Sequence, residues 1–198
     1  MNTALVVVDV QNDFCPGGTL AVPDADAVIP VVNSLIGSFR TVFFTQDWHP
    51  PGHVSFASSH QGRRAFDRLT VAYGEQILWP DHCVENTPGA AFHAGLLVPG
   101  GSVIVRKGTR RTTDSYSAFF ENDGQTPVGL DTLLRQAQVA EIVLAGLATD
   151  FCVLNTALDA RRLGYEVAVV ESGCRGISAQ GSLERAWAEM LRAGVRRG

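Results

Sequence analysis

The run Ala4-Leu-Val-Val-Val-Asp-Val10 constrains this chain more than any other feature, because it is apolar and β-branched without alternation. A strand with one wet face alternates apolar and polar residues. One without alternation must be covered on both faces, as a central strand of a parallel sheet is. Further strands are expected at 41–45, 102–106, 141–145 and 166–170. Between them the sequence predicts a helix with Val28, Ile29, Val32, Leu35 and Ile36 on its apolar face, capped by Asp24 or Asp26, and a second helix over 130–138. A third runs from Cys152 to Gly164, and a fourth over 179–193 turns Leu183, Trp187, Met190 and Leu191 inward. Residues 49–101 and 110–129 read as irregular, with short helices at most, and loops of that length are usually functional. Strands separated by helices or long excursions imply right-handed crossovers. The expected fold is therefore α/β: one domain over 1–198, a three-layer α/β/α arrangement around a mainly parallel sheet of five or six strands.

Composition excludes several classes of function. With 16 basic and 20 acidic residues the chain offers no stripe for a polyanion, so nucleic acid is not an expected partner and a small molecule is. Its longest apolar runs fall far short of a bilayer span, and Met-Asn-Thr-Ala-Leu lacks a basic leader, so no membrane association and a cytoplasmic location are expected. Cysteines at 15, 83, 152 and 174 show no CxxC spacing, and disulfides are not expected.

In parallel sheets ligands bind beyond the carboxyl ends of the strands. Four chemically potent groups fall there, each on a different strand: Asp9, the pair Asp47/His49, Lys107 and Cys152. Cys152 is expected in the first turn of a helix capped by Thr149 or Asp150, where the helix dipole should ease ionisation of the thiol. The competing reading is a small buried apolar residue. With Asp9 as proton acceptor and Lys107 holding negative charge, Cys152 becomes a candidate nucleophile. The alternative makes Asp9 and Lys107 a buried ion pair between strands. Asp47-x-His49, His53 and His82 form a second group, two or more imidazoles with a carboxylate, suited to one divalent ion, with Zn²⁺ foremost and Fe²⁺ or Mn²⁺ also accommodated. Asp81 would orient His82 or simply be surface charge. Cys83 reads as packing, His60 and His93 as ordinary polar residues, and Phe14 as a pocket wall or a loop aromatic tucked onto the core.

Taken in order, Val8-Asp9-Val-Gln-Asn-Asp-Phe14, Thr45-Gln-Asp-Trp-His-Pro50, His53-Val-Ser-Phe56, Trp79-Pro-Asp-His-Cys83, Lys107-Gly108, Asp114-Ser-Tyr-Ser-Ala-Phe119 and Gly146-Leu-Ala-Thr-Asp-Phe-Cys-Val153 resemble the nicotinamidase branch of the isochorismatase-like cysteine hydrolase superfamily. The resemblance spans nearly the whole chain and implies the isochorismatase-like hydrolase fold. It implies a triad of Asp9, Lys107 and Cys152, and metal ligation by Asp47, His49 and His82. His53 matches a position that ligates in some members and supports a ligand in others. Phe14 and Trp79 match the walls around a pyridine ring, with Tyr116 nearby. A non-proline cis peptide is implied at Leu147-Ala148, in a turn whose Ala148 and Cys152 N–H groups would form an oxyanion hole. The implied reaction is metal-dependent hydrolysis of nicotinamide to nicotinate and ammonia through a thioester, in NAD salvage, with pyrazinamide as a further substrate and a homo-oligomer as the expected assembly. The alternative within the superfamily is an amide hydrolase acting on a ureide or carbamoyl compound.

Overall fold

A computed structural model describes residues 2–198. The strands are β1 (Asn2–Val8), β2 (Val42–Asp47), β3 (Arg68–Val71), β4 (Gly74–Ile77), β5 (Val103–Lys107), β6 (Val139–Leu147), β7 (Glu166–Arg175) and β8 (Arg196–Arg197). The helices are α1 (Val28–Ser38), α2 (Leu130–Gln136), α3 (Leu154–Arg162) and α4 (Ser182–Arg192). Six strands form one sheet in the order β5-β2-β1-β6-β7-β8, and every pairing in it is parallel.

The unbroken apolar run does what its lack of alternation requires. Ala4, Val6 and Val8 enter one core with Leu144, Val153, Trp187 and Met190. Leu5 and Val7 enter the other with Val28, Val32 and Phe44. Helix α1 covers the second face, while α2, α3 and α4 supply the first, giving the three layers. Leu191, expected inward on α4, is half exposed, because Ala186, Trp187 and Met190 already fill the buried stripe.

Other departures from the sequence reading have local causes. The strand starting at the N-terminus stops at Val8, so Asp9 lies just past it with a left-handed φ of 47°. The stretch expected to hold only short helices contains the antiparallel hairpin β3–β4, whose strands are four residues each, β3 alternating polar and apolar and β4 not. Strand β7 runs five residues beyond its expected end and recovers register with β6 through an irregularity between Leu144 and Gly146. Gly146 has φ 133°, and a Cβ there would lie 2.0 Å from the Val8 carbonyl oxygen, so close contact between β6 and β1 requires glycine.

Candidate active site

Strands β5, β2, β1 and β6 are consecutive neighbours, and their carboxyl ends deliver the candidate groups to one edge. Lys107 and Asp47 end their strands and are register partners. Asp9 follows β1, and the turn after β6 carries Cys152.

Lys107 is 1 % exposed, and its ammonium is fully engaged: it donates to Asp47 Oδ1, to the Ser115 carbonyl at 3.1 Å and to Cys152 Sγ at 3.3 Å. Asp9 Oδ2 also lies 2.9 Å from Nζ, an ion-pair distance, yet this oxygen receives no aligned hydrogen bond. Asp9 Oδ1 accepts from the Thr45 hydroxyl at 2.6 Å. One oxygen of Asp9 is thus held by a hydroxyl, while the other faces the Lys107 ammonium at ion-pair distance. Carboxylate oxygens of Asp9 and Asp47 and the Cys152 sulfur all lie within 4.8 Å of one another. Burial raises the Asp9 pKa despite the opposing pull of Lys107, which improves it as a proton acceptor.

The expectation of a readily ionised thiol is corrected. Burial pushes the Cys152 thiol well up, and the Asp9 and Asp47 carboxylates add to this, with Lys107 opposing. The helix does not start at the cysteine either. Residues Thr149–Val153 form a wide π-type turn, and α3 follows it. Neither Thr149 nor Asp150 caps the turn: Asp150 instead accepts hydrogen bonds from Ile177 N at 2.9 Å, Ser178 N at 2.9 Å and the Ser182 hydroxyl. The peptide Leu147-Ala148 is cis. The Ala148 carbonyl accepts from Phe151 and Val153, on either side of Cys152, so the Cys152 N–H is not among its donors.

Beside this triad Asp47, His49 and His82 place one ligand atom each within 4.8 Å of one another, all buried. His49 Nδ1 is 3.0 Å from the Gly108 carbonyl and His82 Nδ1 is 2.8 Å from the Pro80 carbonyl, so each ring donates from Nδ1 and presents Nε2 as a lone pair. Those two Nε2 atoms lie 3.7 and 3.9 Å from Asp47 Oδ2. A carboxylate with two imidazoles, each held at Nδ1 by a backbone carbonyl, fits a divalent metal of the Zn²⁺ type. Burial and the neighbouring His49 push the His82 pKa down to about 4, keeping the ring neutral. Against the cost of burial, Lys107 and the two histidines hold the Asp47 carboxyl well below the usual range. Gly108 has φ 65°, and a Cβ there would fall 2.3 Å from the His49 ring, so glycine is needed for this approach.

His53 is not brought into that group. Its ring stacks on His49 with centroids 4.3 Å apart, and its nitrogens face the Ser55 hydroxyl at 2.7 Å and the Thr113 carbonyl at 3.3 Å. Asp81 is exposed and accepts from Ser58, leaving His82 to the Pro80 carbonyl, so the surface reading of Asp81 holds. Cys83 is buried packing whose N–H donates to Asp13 Oδ2 at 2.7 Å.

A slot of about 330 Å³, counted with its mouth, joins the two groups. Cys152, Ala148, Asp47, His49 and His82 line it together with the aromatic rings of Phe14, Trp79, Tyr116 and Phe151. Phe14 lies 5.5 Å from the His82 ring and Trp79 meets Phe151 edge-on at 4.8 Å. The sequence reading missed Phe151, although its place beside the nucleophile was the available signal. It also missed Gln11, whose amide nitrogen donates to the Asp47 carbonyl while its oxygen accepts from the Asp47 N–H, both at 2.8 Å. No pattern marks such a loop glutamine in advance.

The fold and this edge define an α/β protein with a buried thiol, ammonium and carboxylate centre at the carboxyl ends of a parallel sheet. The Isochorismatase domain model matches residues 3–196, and the chain belongs to that family. A curated nicotinamidase of Acinetobacter baylyi is 49% identical over 99% of this chain and 92% of its own length. A solved nicotinamidase/pyrazinamidase of Acinetobacter baumanii superposes with TM-score 0.97 at 50% identity, covering 99% of this chain and 95% of that one. A pyrazinamidase of Pyrococcus horikoshii solved in complex with zinc gives TM-score 0.82 at 36% identity, covering 100% of this chain and 99% of that one. No helix among the described residues is long and apolar enough to cross a membrane.

Proposed function

We propose that this chain is a nicotinamidase, hydrolysing nicotinamide to nicotinate and ammonia for NAD salvage, with pyrazinamide as a second substrate. The observation that carries the reading is that one slot is lined by aromatic rings, by Cys152 and by the Asp47, His49 and His82 group. A flat heteroaromatic amide suits such a slot better than an extended ureide does.

The ring lies between Phe14 and Trp79 with Tyr116 at its edge. Asp9 Oδ2, free of aligned donors, takes the proton of Cys152 as the sulfur attacks the carboxamide carbon. The carbonyl oxygen becomes an oxyanion held by the N–H groups of Ala148 and Cys152. Lys107 keeps its charge throughout, since Asp47 and Asp9 raise its pKa well above normal against the effect of burial, and it steadies the sulfur. The C–N bond then breaks as Asp9 returns the proton to the leaving nitrogen, giving ammonia and a thioester. Water adds to the thioester as Asp9 takes one of its protons, the C–S bond breaks as Asp9 passes that proton to the sulfur to regenerate the thiol, and nicotinate leaves with its remaining proton lost to solvent.

Asp47, His49 and His82 hold the divalent ion, zinc by preference, with His53 packed behind His49. When bound, that ion supplies an electrophilic anchor for the ring nitrogen. The four thiols are unpaired, the form that a reducing compartment such as the cytoplasm maintains.

The test is ammonia release from nicotinamide, with and without a chelator, by the unaltered protein and by Cys152→Ala. Activity lost in both treatments is expected. Activity retained by Cys152→Ala would refute the covalent route, and indifference to chelator together with absence of metal would refute the metal's role.

A further inference from the structure

Gln76 sits on β4, in a hairpin that is otherwise mostly solvent-facing, yet it is only 1 % exposed. Its side-chain oxygen accepts from the Tyr73 hydroxyl at 2.9 Å and from Asn122 Nδ2 at 3.4 Å. Its amide nitrogen lies within hydrogen-bond reach of Asp114 Oδ2 at 3.0 Å, the Tyr116 hydroxyl at 3.1 Å and the Ile77 carbonyl at 2.7 Å. The Tyr116 oxygen also accepts from Trp79 Nε1 at 3.2 Å. A phenol oxygen has two lone pairs, so Gln76 and Trp79 between them fill its acceptor capacity. Tyr116, Trp79 and Asp114 all line the slot, whereas Gln76 does not.

This connectivity has a mechanical consequence. Trp79 and Tyr116 come from segments far apart in the chain and touch edge-on, with ring centroids 6.4 Å apart and planes at 82°. Packing alone would let either ring pivot about its χ2 torsion. The chain of bonds from Gln76 to Tyr116 to Trp79 pins both rings at their polar ends, and the bond to Asp114 ties the same amide to the base of the loop that carries Tyr116. Hydrogen-bonded chains in a dry setting act as a unit.

We propose that Gln76 is a positioning residue that sets the aromatic wall of the substrate slot through its hydrogen bonds to Tyr116 and Asp114, so that the β3–β4 hairpin contributes to substrate affinity without touching substrate. The proposal rests on the nicotinamide reading of the slot. Its effect falls on binding of the ring and not on the triad, because Lys107, Asp9 and Cys152 have no contact with Gln76 among their hydrogen bonds.

The experiment is a mutant cycle on the metal-loaded protein with Gln76→Leu, Tyr116→Phe and the double variant, assayed with nicotinamide. Each single change is expected to raise KM roughly ten-fold, because each breaks the Gln76–Tyr116 bond, with kcat within roughly three-fold. The double variant is expected to be no worse than the worse single one, because both changes break the same chain. Should Gln76→Leu fail to fold, Gln76→Met takes its place, since it loses the same amide protons with a side chain closer in length and brings no second carboxylate against Asp114; it should raise KM as well. In the substrate-free protein the indole N–H proton resonance of Trp79, assigned with Trp79→Phe, should shift in the uncharged Gln76 variant. Additive KM effects, a loss confined to kcat, or an unmoved indole resonance would each overturn the proposal. If the unaltered protein released no ammonia from nicotinamide, the functional reading would fall, and the indole resonance would still decide the role of Gln76.

Discussion

Asp150 offers the sharpest test of how the nucleophile turn is joined to the rest of the slot. Its side chain, on a residue only 4 % exposed, accepts from two backbone N–H groups and one hydroxyl of the segment that follows β7. Ile177, one of those donors, also lines the slot. Asp150→Ala leaves three donors without their acceptor. Ser178 is exposed and can be rehydrated, so each bond is taken near the lower end of its range and the total loss is about 3 kcal/mol. For a chain of this size that corresponds to a fall in Tm of roughly 6–12 °C. Asp150→Asn retains one oxygen and should fall between that variant and the unaltered protein. Differential scanning calorimetry measures the shift, and KM for nicotinamide should rise with it as Ile177 loosens. A Tm within about 1 °C of the unaltered protein in Asp150→Ala would show that the three bonds are replaced by water at no cost, and the argument would fail.

Lys107→Met should abolish turnover and also destabilise the fold by about 3–5 kcal/mol, since it strands the buried carboxylates of Asp9 and Asp47; urea denaturation of the metal-free protein measures this, and unchanged stability would refute it. Gly108→Ala should lower zinc content, measured by plasma emission, because the new methyl group occupies the space of the His49 ring. Full zinc content in that variant would show that the ring has room to move.

The fold was legible where burial alone dictated residue type. The run from Ala4 to Val8 could satisfy only a strand covered on both sides, and β1 is central, paired with β2 and β6. The triad was legible because strand ends in a parallel sheet share an edge, and Asp9, Lys107 and Cys152 stand at or a few residues beyond three such ends. The hairpin β3–β4 was not, since each of its strands is four residues long and only β3 alternates polar and apolar. The direction of the Cys152 pKa was misjudged for a physical reason: a dipole argument sees the turn, while burial and the two carboxylates belong to the assembled edge. The polar clamps at Gln11, Gln76 and Asp150 were invisible for the same reason, because their partners lie on other segments.

The sequence also separates into two constellations what the structure makes one. Asp47 turns Oδ1 to the Lys107 ammonium and Oδ2 to the Nε2 atoms of His49 and His82. The same carboxylate therefore belongs to the triad's cation and to the metal group, and substitutions on the two sides of it should differ in kind. His82→Ala removes a ligand only. Its turnover should be low at stoichiometric zinc and recover substantially in excess zinc, since Lys107 keeps all three of its partners. Asp47→Asn weakens the metal group and also takes a full negative charge from Lys107, so the position of Nζ between Asp9 and Cys152 is no longer balanced from the β2 side. Excess zinc should restore its metal content without restoring its turnover. Zinc titration, read in parallel by metal content and by ammonia release, separates the two cases. Equal recovery of both variants would mean that Asp47 serves only the metal and that the two centres are independent.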